Sequence, residues 1–294
     1  MKKNALFLFV ILLTACASAT QPPVSYNAGD TIISPVDGAT LVYIPAGEFT
    51  MGTDQGMTDE APAHAVYLDS FWLDQTEVTN EAYRKCVEAG ACKPPFKSRQ
   101  AYDDPAYAAH PVVYVSWNDS VNYCTFSGRR LPTEAEWEKA ATWNPRTNEK
   151  YIFPWGNEYD CAKGNFDDET EQDASVMAKD VVNCDGFKRS APAGSFPQGA
   201  SPYGILDMGG NVWEWVHDTF IEVDPLSGTI RNYYYDSPYK NPQGVDPALS
   251  EYRVMRGGSW DWTFGVGRST YRLWFGLDDA YEGVGFRCAM NANP

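Results

Sequence analysis

Histidine is nearly missing from these 294 residues: His64, His110 and His217 are the only three. No two of them stand at the HxxxH spacing that puts a pair of imidazoles on one helix face, so no ready iron or zinc motif is present. A Cys-x-x-Cys pair is absent, which removes the usual thiol–disulfide exchange motif. No cysteine at all lies between Cys184 and Cys288. Positive charge is also short: 23 Lys and Arg stand against 39 Asp and Glu, a formal net charge of −16. A phosphate backbone would be repelled, so nucleic acid is excluded as a partner. The leading apolar run, Ala5 to Leu13, is too short to span a bilayer. There is no internal repeat and no heptad pattern, which excludes solenoids and coiled coils.

What the chain does have begins with MKKNALFLFVILLTAC. Lys2 and Lys3 precede the apolar run in the manner of a signal h-region. Leu13-Thr14-Ala15-Cys16 resembles the bacterial lipobox. The expectation is a lipoprotein signal peptide over residues 1–15, lipidation of Cys16 and membrane lipid as a partner. Residues 16–39 are then a lipidated start and tether, small, polar and Pro-containing. A single domain fills 40–294, long enough for one substantial core. The implied location is the bacterial cell envelope, periplasmic or outer surface.

Seven cysteines less Cys16 leave six, at 86, 92, 124, 161, 184 and 288. An even set in an exported chain suggests up to three disulfides, with fifteen pairings open. Local spacing favours Cys86–Cys92 and Cys161–Cys184, which leaves Cys124–Cys288. Ten Trp and 18 Tyr suggest short elements wedged together by aromatic rings.

Two extended runs open the domain, LVYIPAGEFTMG and VYLDSFWLD. Three helices follow with readable starts. Thr79 caps NEAYRKCVEAG, with Gly90 as its stop. Ser116 opens a helix that carries Cys124, and Thr133 with Glu136 forms a capping box for EAEWEKAAT. Residues 144–202 are loop-rich, and loops that long need disulfides or bound ions to hold them. GNVWEWV, YRVMRGGSW and GVGFRCAM are short strands. Composition and pattern alone imply an irregular α+β, disulfide-bearing domain.

The ordered set IPAGEFTMG, DQTEVTNEAY, LPTEAEWEKAA, YIFPWGNEYD, GNVWEW, RGGSW and GFRCA runs from about Val42 to Ala289. It resembles the formylglycine-generating enzyme family, also called the sulfatase-modifying factor domain. The resemblance implies a C-type-lectin-like variant fold, α+β and irregular, with little regular secondary structure. It also implies Ca2+ as a structural cofactor at two sites. One would use Asp207, the Gly210 and Val212 carbonyls and Glu214. The other would use Asn165, the Phe166 carbonyl, Asp185 and the Phe187 carbonyl. Cys288 matches a family disulfide cysteine whose partner maps to Cys124.

The resembling enzyme oxidises a sulfatase cysteine to formylglycine through a cysteine pair that binds copper, because soft thiolates select Cu(I). Here those positions map to Trp262 and Phe264. No copper is expected, no catalytic residue is assigned, and the chain reads as a pseudoenzyme. Some relatives use non-haem iron with histidines from an added helical domain, which has no counterpart here. Asp261, Asp278, Asp279 and Glu282 are the carboxylates near the same segment.

A binding role suits what remains. Trp260, Trp262, Phe264 and Trp274 would line a ligand cleft, with Arg268 and Arg272 available to carboxylates. Tyr271 and Phe275 lie in the same segment. The expected function is a calcium-stabilised, membrane-anchored domain that binds protein or glycan. The alternatives are altered chemistry, iron-dependent or carboxylate-based, and a structural part of an envelope complex.

Overall fold

Strands in the computed structural model are short, and the longest among the described residues, Trp213–Thr219, has 7 residues. The structure describes residues 25–97, 99–167, 184–221, 233–262 and 267–292. Two four-stranded sheets organise the chain. The first joins β1 (Thr31–Ile33), β2 (Thr40–Ile44), β5 (Phe71–Asp74) and the C-terminal β12 (Ala289–Asn291), all antiparallel. The second orders β10 (Leu273–Gly276), β9 (Tyr252–Arg256), β8 (Trp213–Thr219) and β11 (Val284–Phe286). Here β11 runs parallel to β8. Hairpins β3 (Gly47–Met51) with β4 (His64–Leu68), and β6 (Trp143–Asn144) with β7 (Glu149–Lys150), complete the strands. This is the irregular α+β fold that the resemblance implies.

Residues 31–33 belong to the stretch expected to be tether, yet they form β1 against β2. Tyr26 packs edge-on against Trp72 at 4.7 Å. Ordered structure therefore starts before Thr40.

The helices begin where side-chain oxygens can take up free N–H groups. Thr79 caps α1 (Asn80–Glu88). Full capping boxes open α3 (Trp117–Phe126) at Ser116–Asp119 and α4 (Glu134–Thr142) at Thr133–Glu136. A further short helix is α2 (Arg99–Asp103). All nine residues of α4 are buried. That is unusual for EAEWEKAAT, and ion pairing explains it. Glu134 meets Arg272, Glu136 meets Arg130, and Glu138 meets Arg256 and Lys150. Lys139 donates to the carbonyls of Pro45 and Gly47 at 2.9 Å.

One apolar core lies between the first sheet, β3–β4 and α4, and includes Phe49, Phe71, Trp137 and Val254. A second gathers Tyr83, Tyr123, Trp213, Trp215 and Phe286 beside α1 and α3. Three disulfides, Cys86–Cys92, Cys124–Cys288 and Cys161–Cys184, brace these parts.

Every described cysteine is therefore committed to a disulfide, and none is left to carry a lipid. This corrects the expected partnership with membrane lipid. Cys16, on which that expectation rested, lies outside the described residues, as do the signal peptide and most of the tether. Among the described residues no helix is long and apolar enough to cross a membrane.

Candidate functional site

The segment Arg256-Gly257-Gly258-Ser259 leaves the end of β9 through a turn that only glycine enters without strain. Gly257 has φ 101° and Gly258 φ 83°. A Cβ on Gly257 would also stand 3.2 Å from the Trp137 ring. Arg256 is wholly buried and pairs with Glu138 and Glu134. It also donates to the carbonyls of Ser269 and Thr270, at 2.7 and 2.8 Å. Arg256 thus fastens the two sides of the 256–272 segment to α4.

Beyond the turn, Trp260 faces a cavity of about 460 Å3 shared with Asn80, Tyr107, His110, Tyr114, Arg189 and Glu282. The start of α1 fixes one wall. Asn80 N–H donates to the His110 carbonyl at 2.9 Å, and its side-chain amide donates to the Tyr107 carbonyl at 3.0 Å. Tyr114 fixes another wall. Its φ of 58° is rare for an aromatic residue, and such backbone tends to occur at functional sites. Two backbone hydrogen bonds hold it, from its N–H to Tyr281 O at 3.0 Å and from Phe96 N–H to its carbonyl at 3.1 Å. Arg189 pairs with Glu282, and Tyr114 donates to Glu282 at 3.4 Å. Burial pushes the His110 imidazole below its usual pKa, which disfavours its charged form.

The residues expected to form one cleft do not share one. Trp260 faces this cavity. Trp262 is 37 % exposed and stands edge-on to Trp213, 5.8 Å between ring centres. Trp274 is 36 % exposed and stacks on Phe220, just past the end of β8. Arg268 lines a separate cleft with Lys150 and Tyr151 and pairs with Glu60 at 2.8 Å. Arg272 is buried against Glu134 at 2.6 Å and lies over the Tyr234 ring at 4.5 Å, so it is no ligand clamp. Phe264 lies outside the described residues.

Sequence reading missed Asn80, Tyr107, His110, Tyr114 and Arg189. The one signal available was the aromatic and proline clustering in AYDDPAYAAHPVVY, which carries no spacing rule.

The two expected calcium sites are corrected. Among the described residues no group of three or more His, Cys, Asp or Glu side chains is placed to hold a metal ion. Most of the carboxylate oxygens have other partners, although the buried Asp207 Oδ1 and Asn165 Oδ1 accept no hydrogen bond. Glu214 accepts from Arg287 Nε and Nη2 and from Trp137 Nε1, each at 2.7 Å. Asp207 accepts from Gly194 N–H at 2.5 Å. Asp185 accepts from the N–H groups of Phe166 and Phe187 at 3.0 and 2.8 Å. Asn165 turns its amide nitrogen to Arg189 O at 2.9 Å and to Asn211 Oδ1 at 3.1 Å. Gly210 and Val212 are buried in the loop between these segments.

The three histidines are dispersed as well: His64 sits against Tyr234, His110 against Tyr107 and His217 against Trp117. The cysteines form disulfides, so the described chain has no free thiolate pair for copper.

The sulfatase-modifying factor enzyme 1-like domain matches residues 30–292. The chain belongs to the sulfatase-modifying factor family. It is 31 % identical over 267 residues to a hercynine oxygenase of Mycolicibacterium smegmatis, covering 80 % of this chain and 57 % of that protein. The chain thus spans little more than half the oxygenase's length. It is 30 % identical over 299 residues to the inactive C-alpha-formylglycine-generating enzyme 2 of Mus musculus, with 86 % of each covered. Among solved structures, PvdO from Pseudomonas aeruginosa superposes with a TM-score of 0.70 at 27 % identity, covering 91 % of this chain and all of that one. One scaffold thus hosts a protein named as an oxygenase and one named as inactive, so membership of the family does not assign chemistry.

Proposed function

We propose that this chain is a binding member of the sulfatase-modifying factor family, which holds a protein or glycan ligand in the cell envelope and generates no formylglycine. The observation that carries the reading is Trp262. It stands where the resembling enzymes carry the first copper cysteine, and it is 37 % exposed. An indole supplies no soft anionic ligand for Cu(I), so the step that activates dioxygen has no foothold there. The neighbouring Trp260 faces a cavity of a size suited to a small ligand or a side-chain anchor. Three disulfides suit an oxidising compartment and support the envelope placement.

The full chain, incubated with a cysteine-containing sulfatase peptide, Cu(I) and dioxygen, is expected to leave the peptide mass unchanged. Catalytic turnover to formylglycine would overturn the reading. On peptide and glycan arrays the chain is expected to bind saturably, and blank arrays of both kinds would defeat the binding half.

A further inference from the structure

The cavity beside Trp260 has features that narrow its ligand. Its walls come from the start of α1, the turns around Tyr107 and His110, and the loops carrying Tyr114, Arg189, Trp260 and Glu282. None of these lining residues lies in a strand. An extended peptide that binds by adding a strand would need a free sheet edge, and this cavity offers none. The charges also select. Arg189 is offset by Glu282, Asp104 also lines the cavity, and burial disfavours the charged form of His110. With no net positive charge, the site gives no advantage to phosphorylated, sulfated or strongly acidic ligands.

What is left is a pairing of aromatic faces with fixed polar groups. Tyr107 is 38 % exposed, and Trp260 is partly buried with Arg189 6.0 Å from its ring centre. Flat rings cover the C–H face of a pyranose, and planar carboxylate, guanidinium and phenol groups meet its hydroxyls. The polar groups are already ordered: Asn80 by the Tyr107 carbonyl, and Glu282 by Arg189 and Tyr114. Order before binding lowers the entropy cost of capturing a small polar ligand.

We infer that the cavity lined by Tyr107, Tyr114, Arg189, Trp260 and Glu282 is a saccharide-binding site for an uncharged sugar unit. This rests on the binding reading above and deepens it. Trp260 and Tyr107 are the ring platforms, and Glu282 with Arg189 reads the hydroxyls.

The test uses the full chain on an array of neutral, acidic and sulfated oligosaccharides, beside a peptide array, with hits measured by titration calorimetry. Binding to a neutral oligosaccharide is expected, weakened roughly tenfold or more by Trp260→Ala and by Tyr107→Ala, the loss of a hot-spot aromatic. Trp274→Ala, away from the cavity, is expected to bind as the parent does. Near-UV circular dichroism checks that each variant is folded, and Tyr107→Ala, at an exposed turn, stands in if Trp260→Ala is not. Sugar binding unchanged in both cavity variants would overturn the site. Binding only to acidic or sulfated glycans would overturn the uncharged ligand class. Peptide binding without sugar binding would overturn the saccharide inference and leave the binding function standing. Silence on both arrays would overturn both.

Discussion

Arg287 and Glu214 face each other as a two-pronged pair, with both side chains fully buried and both contacts at 2.7 Å. The same guanidinium donates to the carbonyls of Asp74, Gln75 and Leu206, so it joins the end of β5 to β8. Arg287→Met would leave a buried carboxylate without its counter-charge. The expected loss is about 3–5 kcal/mol, read from urea unfolding. Because Arg287 and Trp137 already occupy Glu214, EGTA is expected to leave the urea midpoint unchanged. A clear fall in the midpoint on chelation would sink this assignment of Glu214.

The disulfides differ in what they constrain. Cys124–Cys288 spans 164 residues of sequence and Cys86–Cys92 only 6. In the chain-entropy account the longer loop contributes about 5 kcal/mol and the shorter about 2. The double serine replacement at 124 and 288 is therefore expected to lower stability by roughly 3 kcal/mol more than the one at 86 and 92. Equal losses in parallel denaturant titrations would show that loop closure is not what these bonds supply.

Much of the fold was legible because its signals are local. Thr79, Ser116 and Thr133 announce helix starts through oxygens that reach only a few residues ahead, and all three caps are present. The glycine pair after Arg256 announces a turn in the same way. The site was less legible because its walls come from distant segments. Nothing in the spacing of Tyr107, Arg189 and Trp260 says that they share a cavity. The calcium sets failed for a related reason. Asp207, Glu214 and Asp185 are oxygen donors by residue type, but only the tertiary structure shows that Arg287, Trp137 and backbone N–H groups reach those oxygens. EAEWEKAAT read as an ordinary capped helix because two of its ion-pair partners, Arg256 and Arg272, lie more than a hundred residues away.

Asp218 supplies a pH-dependent element. Burial and then the nearby Glu134 charge hold its carboxyl well above the usual range, while the Glu134 N–H donates to it at 2.8 Å and Arg272 pulls the other way. A carboxyl whose folded pKa exceeds its unfolded value, about 3.9, favours the folded state most below that value. The advantage is lost as pH rises through the folded pKa. Asp218→Asn keeps an acceptor for the Glu134 N–H and removes the titration. The variant is expected to gain on the parent as pH rises from acid through neutral, with urea midpoints measured across that range. A constant difference between the two at every pH would show that Asp218 does not titrate on unfolding.

Trp262 and Trp213 separate a surface role from a core role at one contact. Their rings meet edge to face at 5.8 Å, but Trp213 is 1 % exposed and Trp262 is 37 % exposed. An edge-to-face pair contributes about 0.5–1.5 kcal/mol beyond area burial. Trp262→Ala is thus expected to cost about 1 kcal/mol and to leave the protein folded. Trp213→Ala opens the core and is expected to cost about 3–5 kcal/mol. The comparison bears on the proposed function, because an exposed residue of this segment that is cheap to remove is not kept there by packing against the core. If urea unfolding gave Trp262→Ala a loss as large as that of Trp213→Ala, Trp262 would be a core residue, and the reading built on its exposure would fall.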